Sequence, residues 1–276
     1  MDQGLLVGLE TRQSIAFPWV RDIIDPEGEN KTMNTLIVAC RTIAEELRVA
    51  VRQTGCQYPI LWIESGLHID PDSLRKRLQG ELDHLENIGL VLLAFGYCGN
   101  ALLGLRPGNC RLIFPRADDC ITLMLGSGAR RDEICRECGT YFLTRGWLDY
   151  ERNIWVEYQA SVERFGKEKA RRIYKAMLRH YRRLGIIDTG AYDLGSFLER
   201  VQSIADGLEL RPQVIQGTLD YIKKLLTGPW GEDFVTINPG ETVTMEHVFG
   251  RGAAVNPESC PVRLQLQTLQ ETNDAG

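Results

Sequence analysis

Apolar positions along the chain gather in short runs, and amphipathic stretches separate them. The runs TLIVAC (35–40), YPILWIE (58–64), LVLLAF (90–95) and RLIFP (111–115) are rich in branched and aromatic side chains and carry little charge. Runs of this kind predict strands buried in a sheet. Between the first two, Ile43, Leu47 and Val51 recur at helical spacing opposite Glu45, Glu46, Arg48 and Arg52, and the pattern stops near Gly55. This predicts an amphipathic helix with those four charged residues in solvent. Asp70 and Pro71 supply a capping acid and a proline suited to a first helical turn, and Leu74, Leu78, Leu82 and Leu85 mark the buried stripe that follows.

The second half is less regular. CITLMLG (120–126) predicts a helix and GTYFLT (139–144) a fifth strand. One long helical pattern then runs over 148–184, with Trp155, Tyr158, Val162, Phe165, Ile173, Met177 and Tyr181 at helical spacing. IIDTG (186–190) predicts a short strand. A helix over 194–205, a strand over 208–215, a helix over 219–226 and a last strand over 233–240 complete the pattern. Strands alternating with helices predict an α/β fold of three layers, a mainly parallel sheet with helices on both faces, Rossmann- or flavodoxin-like. The expected organisation is one α/β domain over 33–249, with a weakly structured extension over 1–32 and a poorly ordered polar tail over 250–276.

The composition, 276 residues with 43% hydrophobic and 25% charged, is that of an ordinary globular protein, and the net charge of −5 argues against a surface built for nucleic acid. The segment RFGKEKARRIYKAMLRHYRRL (164–184) is strongly basic, but its apolar residues keep one stripe. It is expected to be the solvated face of a packed helix. Apolar runs all fall short of the roughly 20 residues that span a bilayer, and MDQGLLVGLETRQS lacks the pattern of a secretory leader. The expectation is a cytoplasmic protein with no membrane or nucleic-acid partner.

Eight cysteines in such a setting are expected to be thiols or metal ligands rather than disulfides. Three fall at strand tips: Cys40 closes the first strand, Cys98 follows the third and Cys120 follows the fourth. If strands one and three are neighbours at a switch point, with strand four next, these thiols converge at the carboxyl edge of the sheet. Cys40 and Cys120 also directly precede helices, whose dipoles favour thiolate. Three thiolates suit zinc or a [4Fe-4S] cluster and leave one coordination position open. The plain alternative is that each is a small buried hydrophobe.

Around this set, Gly96 and Gly99 of AFGYCGN let the backbone turn tightly at the crevice, where a cofactor would approach, and Asn100 ties the loop or starts a helix. His68 follows the second strand as a ligand, a proton-transfer group or a cap for the helix beginning near Asp70. Arg116 could hold an anionic substrate and Asp119 orient a ligand or act as a base; alternatively the two pair and hold their loop. Cys135 and Cys138, in CREC, read as the end of a helix before Gly139 or as half of a zinc site. Cys56, Cys110 and Cys260 have no supporting neighbours, and GSG (126–128) lacks the lysine and spacing of a phosphate loop.

The segments TLIVACRTIAEEL, SGLHIDPDSLR, AFGYCGNALLGL, PRADDCITLMLGS and GTYFLTRGW, in this order and spread over roughly residues 33–245, resemble the domain of unknown function 1638 family. The residues carried over by that resemblance are Cys40, Cys98, Cys120, His68, Asn100, Arg116, Asp119, Thr144, Gly146, Trp147 and the turn Asp188-Thr189-Gly190. Two features depart from the family pattern: the glycine-cysteine stretch is one residue shorter, and Asp118 stands where histidine is often found. CREC is not part of that pattern. The resemblance implies a setting in one-carbon metabolism, linked to corrinoid-dependent methyl transfer.

Together these features lead to an expectation of a metal-dependent enzyme acting on a small molecule, a methyltransferase or a [4Fe-4S]-dependent lyase, with Cys40, Cys98 and Cys120 holding zinc or the cluster. Two other readings stand beside it: an accessory protein that binds a corrinoid protein or delivers metal, and a metal-free enzyme with Cys98 as nucleophile.

Overall fold

The computed structural model describes residues 22–24, 30–32, 34–149 and 153–249. Two short strands near the start, β1 (Asp22–Ile24) and β2 (Asn30–Thr32), pair antiparallel. The rest of the expected extension over 1–32, and the expected tail over 250–276, lie outside the described residues.

The first large sheet begins with β3 (Thr35–Cys40), which leads through a 3-10 turn (Arg41–Ile43) into α1 (Ala44–Thr54). Then come β4 (Ile60–Ile63), a second 3-10 turn (Ser65–Ile69), α2 (Pro71–Asp83), β5 (Leu90–Ala94) and β6 (Arg111–Pro115). These strands are parallel, in the order β6-β5-β3-β4. The chain steps one way from β3 to β4 and then back to the other side of β3 for β5, which makes the β3/β5 boundary a switch point. Every residue of β3 and β5 is buried, as required of parallel strands covered by helices on both faces.

Two short helices, α3 (Cys120–Leu125) and α4 (Gly128–Glu137), lead to a second sheet. This is built from β7 (Thr140–Leu143), β8 (Arg183–Asp188) and β9 (Arg211–Gln216), all parallel in that order. The helices α5 (Arg145–Asp149), α6 (Ile154–Phe165) and α7 (Lys167–Met177) connect β7 to β8, and α8 (Leu194–Leu208) connects β8 to β9. After α9 (Asp220–Thr227), β10 (Phe234–Ile237) returns to pair antiparallel with β6, and α10 (Met245–Phe249) follows. The fold is thus three-layered α/β, with its parallel strands divided between two sheets. Phe142, Ile187 and Ile215 of the second sheet join the apolar core of the first.

The structure corrects several sequence expectations. The long helix over 148–184 is broken: Asn153 caps α6, Gly166 at φ +81° ends it, and the chain enters β8 at Arg183. Left-handed backbone at Gly166 is incompatible with a continuing helix. Asn100 starts no helix; it sits in a turn at φ +72°. Glu46, expected in solvent, is fully buried because α1 packs against α9 and also meets the turn after β8. The basic segment is the solvated face of a packed helix, as expected: Arg171, partly exposed, and Lys175, exposed, pair with Glu209, while Ala170 and Tyr174 are buried. Among the described residues, no helix is long and apolar enough to cross a membrane.

The Asn153 cap is a local stability test. Its side-chain oxygen accepts from the Trp155 and Val156 N–H groups at 3.0 and 3.1 Å. Asn153→Ala is expected to cost about 1–2 kcal/mol, read as a lower thermal midpoint.

Candidate functional site

Cys40, Cys98 and Cys120 meet. β3 ends in Cys40, whose thiol donates to Thr42 Oγ1 at 3.3 Å in the following turn. The loop after β5 carries Cys98 and is laced to the loop after β6: Tyr97 N–H donates to Ala117 O at 2.8 Å and Cys98 N–H to Asp118 O at 2.9 Å. Cys120 opens α3. Its thiol interacts with those of both Cys40 and Cys98, and Gly96 N–H also points to it.

Gly96 and Gly99 have different duties. A Cβ on Gly96 would stand 2.5 Å from the backbone N and C of Asp119, so only glycine lets the two loops approach. Gly99 lies between Cys98 and Asn100 in a run of left-handed residues, with φ of +44°, +69° and +72°. Cys98 therefore holds a conformation that costs a side-chain-bearing residue roughly 1 kcal/mol or more, as found at ligand clamps and active sites.

The three thiols line one cavity of about 100 Å³, shared with Thr42, His68, Asp119, Arg131, Phe142 and Trp147, among others. The first sheet supplies the thiol side. Phe142 of β7 and Trp147 of α5 come from the second-sheet side, and α5 approaches the turn after β3 so closely that a Cβ on Gly146 would meet the Thr42 carbonyl.

The electrostatics keep the Cys40 and Cys120 thiols neutral. Contact with Cys120 and burial push the Cys40 thiol well above its ordinary range. For Cys120 the contact with Cys40 pulls down, but the contact with Cys98 and burial outweigh it, and the thiol also lies well above the ordinary range. The helix dipoles invoked from sequence do not overcome burial here. Burial likewise lowers the His68 pKa, against the opposing pulls of Ser65 and Asp119. His68 Nδ1 carries the proton, because it donates to the Ser65 carbonyl. Nε2 is left as the lone-pair nitrogen.

Asp119 and Arg116 part company. Asp119 caps α3, accepting from Thr122 N–H at 3.0 Å, and its other oxygen pairs with Arg131 at 2.9 Å. Arg116 is exposed, does not line the cavity, and donates to the carbonyls of His247 and Val248 at 2.6 and 3.3 Å. Asn100 is also outside the cavity lining. Cys135 and Cys138 lie at the end of α4 and do not line it either. Cys110 donates to Pro107 O at 2.9 Å, and Cys260 lies outside the described residues.

Arg131 was missed from sequence. It is buried although the surrounding helix is polar. The available signal was its spacing of three and four residues before Ile134 and Cys135, which puts it on the apolar stripe.

The donor chemistry suits a soft metal: three sulfurs, two of them with backbone N–H groups, of Thr42 and Gly96, directed at them. The described residues nevertheless contain no group of three His, Cys, Asp or Glu side chains already arranged around a common point as metal ligands.

No curated protein and no solved structure matches the chain. A family model described as "Protein of unknown function (DUF1638)" matches residues 62–226, a span that includes His68, Cys98, Cys120, Arg131 and Trp147 and leaves Cys40 outside. With more than half of the chain matched, the protein belongs to the DUF1638 family.

Proposed function

We propose that the protein is a metal-dependent enzyme in which Cys40, Cys98 and Cys120 bind zinc or an iron-sulfur cluster. The observation that supports this reading is the convergence of three thiols from three strand ends on one cavity. Burying Cys120 against both Cys40 and Cys98, the last of them on left-handed backbone, is a costly way to fill an apolar core. Either metal group would supply a Lewis-acidic position open to the cavity.

The chain's own residues set the rest of the chemistry. The backbone N–H groups of Thr42 and Gly96 are directed at the Cys40 and Cys120 sulfurs. His68, neutral and with its proton fixed on Nδ1, offers Nε2 to hold or pass a proton. Asp119 and Arg131 position the Cys120 helix. Phe142 and Trp147 exclude water, and the cavity size limits the reacting part of the substrate to a small group.

Elemental analysis of anaerobically purified full-length protein tests the proposal. Stoichiometric zinc, or iron with acid-labile sulfide, is expected in the wild type and is lost in Cys98→Ser. A metal-free wild type overturns it. The left-handed backbone at Cys98 favours one other reading, a metal-free nucleophile. That reading takes over if metal is absent and a single fast-labelling thiol disappears in Cys98→Ser.

A further inference from the structure

The strand β9 differs from the other parallel strands. It is the edge of its sheet, and Arg211, Pro212, Gln213, Val214 and Gln216 are all exposed; only Ile215 is buried. Val214 is 42% exposed. Parallel strands are ordinarily covered on both faces and at their open edge.

The hydrogen-bonding groups of that edge form a pattern. Arg211 N–H donates to Arg182 O and Gly217 N–H to Asp188 O. The odd-numbered residues therefore face β8, and Pro212, Val214 and Gln216 direct their backbone groups outward. Val214 offers both an N–H and a carbonyl. Pro212 offers only its carbonyl. Gln216 offers a free N–H, while its carbonyl already accepts from Arg130 Nη2 at 2.7 Å.

We infer that β9 pairs antiparallel with β9 of a second copy of this chain, with Val214 on the two-fold axis. In that register the two Val214 residues exchange N–H and carbonyl, and each Gln216 N–H meets the Pro212 carbonyl of the other copy. The donor that Pro212 lacks falls opposite the acceptor that Arg130 has taken. Thus no backbone group is left without a partner. Centring the pair on Pro212 instead removes both donors at the axis, and centring it on Gln216 uses acceptors already engaged. The self-complementary pattern of an isologous interface exists at Val214 alone.

Side chains agree with this register. Arg211 falls opposite Gly217 rather than opposite its own copy, so like charges do not face each other. Beside the edge runs a groove whose wall carries the exposed residues Arg130, Glu133, Arg136 and Glu137 of α4. Both signs are present there, so a two-fold copy can set acid against base. The joined sheets become one sheet, and the exposed Val214 is covered.

Sedimentation equilibrium of the full chain tests the inference. A dimer is expected for the wild type. Val214→Pro removes only an outward N–H, which an edge strand tolerates, and is expected to halve the mass with unchanged far-UV circular dichroism. Val214→Cys is expected to cross-link to its own copy under mild oxidation, since such paired residues sit about 5.5 Å apart at Cα. A monomeric wild type overturns the inference. So does a dimer that keeps its mass in Val214→Pro, and so does a Val214→Cys protein that cross-links no more than the wild type. If Val214→Pro fails to fold, the Val214→Cys cross-link decides.

Discussion

Gly96→Ala is expected to destabilise the protein by about 3 kcal/mol and to part Cys98 from Cys120. The added methyl would stand 2.5 Å from the N and C atoms of Asp119, all of it backbone. No side chain can rotate away to relieve such an overlap, so one loop must retreat. The Tyr97–Ala117 and Cys98–Asp118 bonds at 2.8 and 2.9 Å join these same loops and would be lost or stretched. With them would go the Gly96 N–H directed at the Cys120 sulfur. Gly80→Ala is the control, since Gly80 lies within α2 and nothing is within 4 Å of a Cβ there. That change is expected to stabilise by roughly 0.5–1 kcal/mol. Urea denaturation of the two variants, with the rate of thiol labelling as a second readout, separates them. Equal midpoints for Gly96→Ala and wild type would show that the two loops do not need this contact.

The parts of the fold that could be read from sequence are those where one physical demand acts alone. Buried parallel strands need continuous apolar runs, and β3, β5 and β6 show them. The strand order assumed for the thiols, with the first and third strands adjacent and the fourth next, is the one found. The division into two sheets was not legible, because backbone edges choose pairing partners and the side-chain pattern of β7 or β8 looks alike in either sheet. β10 shows the same limit, being antiparallel beside β6 although its sequence, FVTI, resembles its parallel neighbours. Gly166 carried the information that breaks the long helix, but the apolar spacing across it continued and masked the break. In the site, Cys40, Cys98 and Cys120 were found because strand ends are legible. Arg131 was hidden because a buried arginine is explained only by its partners Asp119 and Asp118, which come from another loop.

Glu46 is the residue whose sequence reading was furthest from its place, and its burial predicts a pH dependence. It lies on α1 with no exposed surface, accepts from Thr189 Oγ1 at 3.2 Å through one oxygen, and has no partner for the other. Burial raises its pKa from 4.5 to about 7, against the opposing bonds from its own N–H and Thr189, with Glu45 adding a little in the same direction as burial. The folded state therefore holds this proton between pH 4.5 and 7, where the unfolded chain has released it. Stability from this group is complete below pH 4.5 and falls as pH rises to 7, by about 3 kcal/mol in all. Glu46→Gln keeps the shape and removes the proton, so the difference between wild-type and variant unfolding free energies should change by that amount between pH 4.5 and 8. Asp118 is also raised by burial and adds a slope of the same sign, but it is present in both proteins and cancels in the difference. Parallel stability curves for the two proteins would mean that water reaches Glu46. The position gives this result structural weight: Thr189 sits in the turn after β8, so the Glu46 bond ties α1 of the first sheet to the second. Phe142 and Trp147 close the thiol cavity from that second side. Ionising Glu46 therefore strains the junction on which the cavity depends, and Glu46→Gln is expected to slow labelling of the cavity thiols most at the high end of the pH range.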